Sequence, residues 1–277
     1  MQRLGVQTTM FARSQKVGAL TSPILQKLAQ EQLSKELNIK FKTLPDEIKI
    51  QADKIIKINF TENDQTKSIE VEYVLGATGR QSNIDRLGLD QLNSTFKDIK
   101  NLPIDKETKR LANLPIFIVG DAAPDAPIQH EAAHAGKQAV YNCLNYPDVK
   151  PIPALIPLAI VFCHPEMAII GKSFKQLEDQ QIEFIRGFVS YENQGRALVL
   201  AENSGGIEVY IDKKSGKLLG AELFCSQAEH LAHLLAWMID ADQDIYQILK
   251  KPFYHPTLEE GLRTAFKHAR RQLDALL

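Results

Sequence analysis

Two apolar periods alternate along the chain, and the order of their changes predicts its elements. Gly5 to Phe11 holds residues suited to a pleated surface, which predicts a strand. Ser22-Pro23 supplies an N-cap and a first-turn proline. Ile24, Leu25, Leu28 and Leu33 then recur at helical spacing to about Leu37. A strand over Ile39 to Lys42 completes a βαβ unit. Lys54 to Phe60 and Ser68 to Tyr73 alternate on either side of a polar turn, the pattern of a meander. Val74-Leu75 reads as a short strand running into Gly76-Ala77-Thr78-Gly79-Arg80. Pro115 to Val119 reads as a fully apolar strand ending in Gly120-Asp121. A helix rich in small residues is expected from His130 to Asn145.

Prolines at 147, 151, 153 and 157 mark a linker near 147 to 153, beyond which the pattern becomes α+β. Strands are predicted over Leu158 to Cys163, Met167 to Gly171, Glu183 to Ser190, Arg196 to Ala201, Gly206 to Ile211 and Leu218 to Leu223. A short helix is expected over Ser173 to Gln180. Further helices follow over Ala228 to Ile239, Ile245 to Lys250 and Leu258 to about Leu273. The last of these has Leu262, Phe266 and Ala269 on one apolar face.

Composition narrows the partners. The 277 residues carry 33 Lys+Arg against 34 Asp+Glu, so no global field attracts nucleic acid or an anionic membrane. The longest apolar run, Ile152 to Cys163, is broken by two prolines and is too short to span a bilayer. The N-terminus lacks the apolar run of a signal peptide, and a soluble cytoplasmic protein is expected. Cys143, Cys163 and Cys225 are widely separated and form no C-x-x-C or C-x-x-x-x-C pair, so each is expected to be a small buried hydrophobe.

Candidate chemistry lies in a few places. In Tyr254-His255-Pro256-Thr257-Leu258-Glu259-Glu260, the carboxylate five residues after the histidine could fix one imidazole tautomer and raise its basicity. The same residues also read as a T-x-x-E capping box between Thr257 and Glu260, so both readings stand. Asp121, at the end of a buried strand, is placed for ligand contact, with helix capping as the alternative. The glycines at 76 and 79 suggest close backbone approach or an ordinary turn. Neither His130/His134 nor Cys225/His230/His233 has convincing metal-ligand spacing, and no metal is expected.

The order of these motifs is more specific than any one of them. Ala77-Thr78-Gly79-Arg80 with Asn83, the apolar strand ending Gly120-Asp121, a separate α+β unit, and His255-Pro256-Thr257 with Glu260 together resemble the C-terminal part of the class I pyridine nucleotide-disulfide oxidoreductases. Tyr254 to Glu260 and the Lys214-Ser215-Gly216-Lys217-Leu218-Leu219-Gly220 turn resemble dihydrolipoamide dehydrogenase more than glutathione reductase. The resemblance implies an α/β fold, made of a partial Rossmann-type nicotinamide domain and a returning flavin-domain segment, followed by an α+β dimerisation domain. It implies boundaries at 1–84, 85–150 and 151–277 and a homodimer through the last of these.

Roles follow from the same resemblance. Asp121, with Gly120, implies a contact to the flavin ribityl chain, and the backbone around Gln129 lies near the pyrimidine end of the FAD ring. Gly79 lies against the nicotinamide coenzyme. His255 is the implied acid/base toward a thiol of the opposite subunit, and Glu260 orients it. Arg13, followed by Ser14, stands where NAD-using relatives have an acidic residue and suits a 2′-phosphate, which inclines the coenzyme from NAD toward NADP. Ser82 replaces the proline usual before Asn83.

The family's two G-x-G-x-x-G loops and its C-x-x-x-x-C disulfide have no counterpart in these residues. The chain therefore resembles a member cut inside its nicotinamide domain, with a missing N-terminal portion as a possible partner. It is expected not to turn over a small dithiol or disulfide substrate alone. The alternative is a non-catalytic dimerisation or binding remnant, and a metal-dependent hydrolase using the histidines is a third reading.

Overall fold

The computed structural model describes residues 1–79, 82–123 and 128–276. Met1–Leu75 together with Ile156–Leu277 form one compact unit, and Gly76–Leu155 form another.

The first unit opens with a 3-10 turn, Gln2–Leu4, after which Gly5 takes a left-handed conformation. Strand β1 therefore starts at Thr9, four residues later than the apolar pattern predicts, and runs over Thr9–Ala12. Helix α1 (Pro23–Ser34) has its expected cap: Ser22 Oγ accepts from the Leu25 N–H at 3.3 Å, and Pro23 sits in the first turn. Strand β2 (Asn38–Phe41) lies parallel to β1, Thr9 opposite Asn38 and Ala12 opposite Phe41. The βαβ unit is thus present.

An antiparallel meander follows: β3 (Pro45–Ile50), β4 (Ile56–Glu62) and β5 (Gln65–Val71). Its first strand was not expected. Ile48 and Ile50 are exposed, so β3 lacks the buried face that makes alternation informative. Asn63 and Asp64, both at positive φ, turn the chain between β4 and β5. Phe60 is buried and meets the Phe11 ring edge-on at 5.1 Å.

The rest of this unit is built on a five-stranded antiparallel sheet ordered β6-β7-β10-β9-β8. Its strands are β6 (Leu158–Val161), β7 (Glu166–Gly171), β8 (Phe184–Ser190), β9 (Gly206–Asp212) and β10 (Leu218–Cys225). Helices α3 (Phe174–Asp179), α4 (Gly195–Leu200), α5 (Ala228–Asp240), α6 (Ile245–Leu249) and α7 (Glu260–Asp274) complete it. One sheet face buries Ile207, Val209, Ala221 and Leu223 with Leu231, Leu235, Leu262 and Phe266 of α5 and α7. The other face packs Phe224 with Leu20, Leu25 and Ala29, so α1 covers it.

One expected strand is a helix. Arg196 to Ala201 reads as an apolar run of undecided period, but the Gln194 side chain accepts from the Ala197 N–H at 2.6 Å and starts α4 there.

Among its described residues the second unit holds five 3-10 turns, Ile84–Leu87, Leu89–Gln91, Ser94–Lys97, Ile99–Asn101 and Gly120–Ala122, and helix α2 (Gln129–Leu144). Its core gathers Ile84, Leu89, Phe96, Leu102, Leu111 and Ile118. The strands expected at Val74-Leu75 and Pro115 to Val119 do not form. Phe117 makes one isolated bridge, to Arg110, while Tyr73, Val74 and Leu75 are exposed. An apolar run becomes a strand only when a neighbour supplies a continuing ladder. Pro115 to Val119 meets residues 109–111 through two backbone bonds, Leu111 N–H to the Ile116 carbonyl at 2.8 Å and Ile118 N–H to the Lys109 carbonyl at 2.9 Å, and the pairing goes no further among the described residues. Cys143 also departs from expectation: it is exposed on α2, near the outward Val140 and Leu144.

Candidate functional site

His255 lies on the loop between α6 and α7, and Glu260 is the first residue of α7. His255 Nδ1 lies 2.9 and 3.1 Å from the two carboxylate oxygens of Glu260. Donation from Nδ1 leaves the lone pair of a neutral ring on Nε2. The histidine side chain is 78% exposed, so that lone pair faces solvent. Hydrogen bonding to His255, then to the Thr257 amide, holds the Glu260 carboxyl below the usual carboxylate range.

The capping reading is half met. Thr257 N–H donates to Glu260 Oε2 at 3.2 Å, as a capping box requires. The Thr257 hydroxyl instead donates to the Tyr254 carbonyl at 2.8 Å, and the residue preceding α7 is Glu259. One carboxylate therefore serves both the helix start and the imidazole.

The loop has two anchors that its own sequence does not reveal. Tyr191 donates its hydroxyl to the Leu258 carbonyl at 2.9 Å, and Gln194 Nε2 donates to the Thr257 carbonyl at 2.7 Å. Tyr191 is fully buried, and burial pushes its phenol well above the ordinary value. Gly261 makes room for it: a Cβ there would stand 2.6 Å from the Tyr191 hydroxyl. The only forewarning is positional, since Tyr191 and Gln194 follow the edge strand β8 in a polar segment.

Gly120 and Asp121 open a 3-10 turn that packs on α2, whose first residue is Gln129. Gly120 has φ 64, and a Cβ on it would lie 3.1 Å from the Ala132 Cβ, so glycine allows the turn to seat on the helix. Ile128 precedes α2 without a side-chain cap, which leaves first-turn amides available, and Asp121 is exposed beside this helix start. These residues fit one end of a flavin. A pyrophosphate cradle of the G-x-G-x-x-G kind is not among the chain's residues.

Gly79 is exposed at φ 98, with none of the described residues apart from its chain neighbours within 4 Å of a Cβ placed on it, and Arg80 lies outside the described residues. Ser82 Oγ, in the place of the usual proline, donates to the Ala122 carbonyl at 3.2 Å. Arg13 directly follows β1 and is exposed. The structure thus brings His255 to Glu260, and the Gly120-Asp121 turn to α2.

Two histidines of the weighed metal groupings are engaged by backbone: His134 Nε2 meets the Pro153 carbonyl at 2.8 Å and His233 Nδ1 the Glu229 carbonyl at 2.7 Å. Among the described residues no group of three or more His, Cys, Asp or Glu side chains is arranged to hold a metal, and no helix is long and apolar enough to cross a membrane.

The pyridine nucleotide-disulphide oxidoreductase family matches residues 1–139, and the pyridine nucleotide-disulphide oxidoreductase dimerisation domain matches residues 157–266. Dihydrolipoyl dehydrogenase of Geobacillus stearothermophilus is 30% identical over 206 residues, covering 74% of this chain and 43% of that protein. The Staphylococcus aureus dihydrolipoyl dehydrogenase is 29% identical over 222 residues, covering 79% and 46%. The chain spans about half the length of the curated relatives it matches. Among solved structures, LpdA from Mycobacterium tuberculosis has a TM-score of 0.79 at 18% identity, covering 98% of this chain and 57% of that one. The Cu(II) complex of the HOCl-induced flavoprotein disulfide reductase RclA from Escherichia coli has a TM-score of 0.78 at 15% identity, covering 96% and 59%. The α/β segment followed by a five-stranded α+β unit is the fold these structures share, and the chain belongs to the pyridine nucleotide-disulphide oxidoreductase family, close to its dihydrolipoyl dehydrogenases.

Proposed function

We propose that the chain is the coenzyme-selecting, flavin-closing and dimerising portion of an FAD-dependent dithiol/disulfide oxidoreductase of dihydrolipoamide dehydrogenase type. The observation that carries the reading is the His255–Glu260 pair, with Nδ1 held at 2.9 Å and Nε2 open to solvent, inside the matched dimerisation domain. An imidazole so held takes a proton from a thiol at Nε2, giving thiolate and imidazolium, and the Glu260 carboxylate offsets the new charge. In an intact member of the family the thiol would come from the other subunit's redox disulfide, which has no counterpart in these residues. The working unit is therefore a homodimer through residues 151–277.

The division of labour is 1–84 for the nicotinamide nucleotide, 85–150 for closing the flavin domain and 151–277 for dimerisation. Asp121, Gly120 and Gln129 would hold FAD. When bound, FAD passes electrons between the dithiol and the nicotinamide. Gly79 would lie against the nicotinamide coenzyme, and Arg13 favours a 2′-phosphate and hence NADP over NAD. None of these residues supplies the redox dithiol, because Cys143, Cys163 and Cys225 are far apart in sequence and all free. By itself the chain therefore turns over no dithiol.

A second reading, a non-catalytic dimerisation module, draws on the matched dimerisation domain and the lack of a glycine-rich phosphate loop. One preparation separates the two. The purified chain, given FAD, is assayed for dihydrolipoamide-dependent reduction of NAD+ and NADP+ while its mass is measured by sedimentation. A dimer without turnover is expected. Turnover that disappears in His255→Gln would contradict the proposed inactivity, and tightly bound stoichiometric flavin would count against the second reading.

A further inference from the structure

Glu222, on the central strand β10, is fully buried and carries no cation partner among the described residues. Its Oε2 accepts from the N–H groups of Thr21 at 2.6 Å and Ser22 at 2.8 Å. Its Oε1 accepts from the Thr21 hydroxyl at 2.5 Å and the Phe174 N–H at 2.9 Å. The Thr21 hydroxyl in turn accepts from the Lys175 N–H at 3.0 Å. A carboxylate offers about four acceptor positions, and here all are taken by groups at the starts of α1 and α3. Directly across the ladder stands a second buried carboxylate, Glu208, which is paired with Arg186 at 2.6 Å. Like charges opposite each other in a sheet repel. Each is therefore tolerated only through its own partners, and those of Glu222 are the helix starts.

The bonds continue beyond α1. Gln26, nearly buried on that helix, donates from Nε2 to the carbonyls of Leu20 at 2.6 Å and Val17 at 2.9 Å, and its Oε1 accepts from the Val17 N–H at 2.9 Å. Gln30 Nε2 donates to the Gln15 carbonyl at 2.7 Å. The loop that follows β1 and carries Arg13 is thus held by two side chains of α1, and α1 is held by Glu222.

We infer that Glu222 is a positioning residue for the coenzyme loop: a buried carboxylate of the dimerisation sheet fixes the start of α1, which fixes residues 13–20. The functional part rests on the proposal that Arg13 meets the coenzyme. The positioning itself does not, and the test keeps the two apart.

Amide hydrogen exchange is measured on the full chain and on Glu222→Gln, which keeps the side-chain shape but loses the charge and one acceptor. Removing acceptors from buried donors should speed exchange by roughly tenfold at Thr21, Ser22 and Phe174 and, through α1, at Val17, with Val209 and Leu223 unchanged. Thr21→Val, which keeps the carboxylate, should show the same pattern more weakly and also release Lys175. Unchanged exchange at Val17 in both variants, or equal acceleration across β9 and β10, would overturn the inference. Titration with NADP+ and NAD+ then tests the loop's role. Weaker NADP+ binding by Glu222→Gln than by the wild type supports it. If Arg13→Ala leaves NADP+ binding unchanged, the coenzyme reading fails, whatever exchange reports about the latch.

Discussion

At the scale of single residues, Glu260 has two neighbours to satisfy and does so with one carboxylate. His255 and the Thr257 amide both stabilise its ionised form, which is why it titrates below the ordinary range. A depressed carboxylate contributes stability that is present above its unfolded pKa and is lost as pH falls through the lowered folded value. Glu260→Gln should therefore be less stable than the wild type near neutral pH, and the gap should close as the medium is acidified past the Glu260 carboxyl. Urea midpoints across a pH series check this. A gap that stays constant into strong acid would show that charge has no part in it.

Much of this pair was readable in the chain, because five residues from His255 to Glu260 bring a carboxylate from the first turn of α7 back to the ring. What could not be read was the hydroxyl of Thr257, which turns to the Tyr254 carbonyl instead of the helix amide. A short hydroxyl that can donate to one backbone group or accept from another is decided by loop geometry, and loop geometry here depends on Tyr191 and Gln194, more than sixty residues away.

At the scale of elements, α7 shows how packing sharpens a sequence pattern. Its apolar face, Leu262, Phe266 and Ala269, is fully buried as the periodicity predicts. Its start is set by the seat of Gly261 against Tyr191. Gly261→Ala places a methyl 2.6 Å from a buried, hydrogen-bonded hydroxyl. Overpacking of this kind should cost about 1–3 kcal/mol, measurable by chemical denaturation, and should also disturb the His255–Glu260 contact. A variant as stable as the wild type would mean that the Tyr191 contact yields more easily than its burial implies. Elements without such seats were harder to read. Helix α4 is six residues long and started by a side-chain cap, and strand β3 turns its isoleucines to solvent. In both cases hydrophobic period carried too little information, and a cap or a ladder partner decided the outcome.

At the scale of the whole molecule, the order of motifs was legible from end to end, and the family matches over 1–139 and 157–266 follow it. The unmade strands explain what was not legible. Val74-Leu75 and Pro115 to Val119 have the apolar character of buried strands, but a strand also needs a ladder: Val74-Leu75 is exposed, and Pro115 to Val119 finds a single bridge, Phe117 to Arg110, among the described residues. The β1/β2 pair has the same character: two parallel strands carry the α1 crossover as a two-stranded sheet. The chain groups its first 75 residues with the five-stranded sheet, and Glu222 is a buried polar contact at that packing.

The central claim is that His255, held by Glu260, is the proton acceptor for a thiol that these residues do not themselves provide. The most direct measurement joins the 277-residue chain behind the flavin-binding and C-x-x-x-x-C portion of a dihydrolipoyl dehydrogenase and compares it with the His255→Gln form. The account predicts dihydrolipoamide-dependent reduction of NAD+ or NADP+ that falls by roughly a hundredfold or more in His255→Gln, with flavin still bound. Equal rates in the two forms would contradict it.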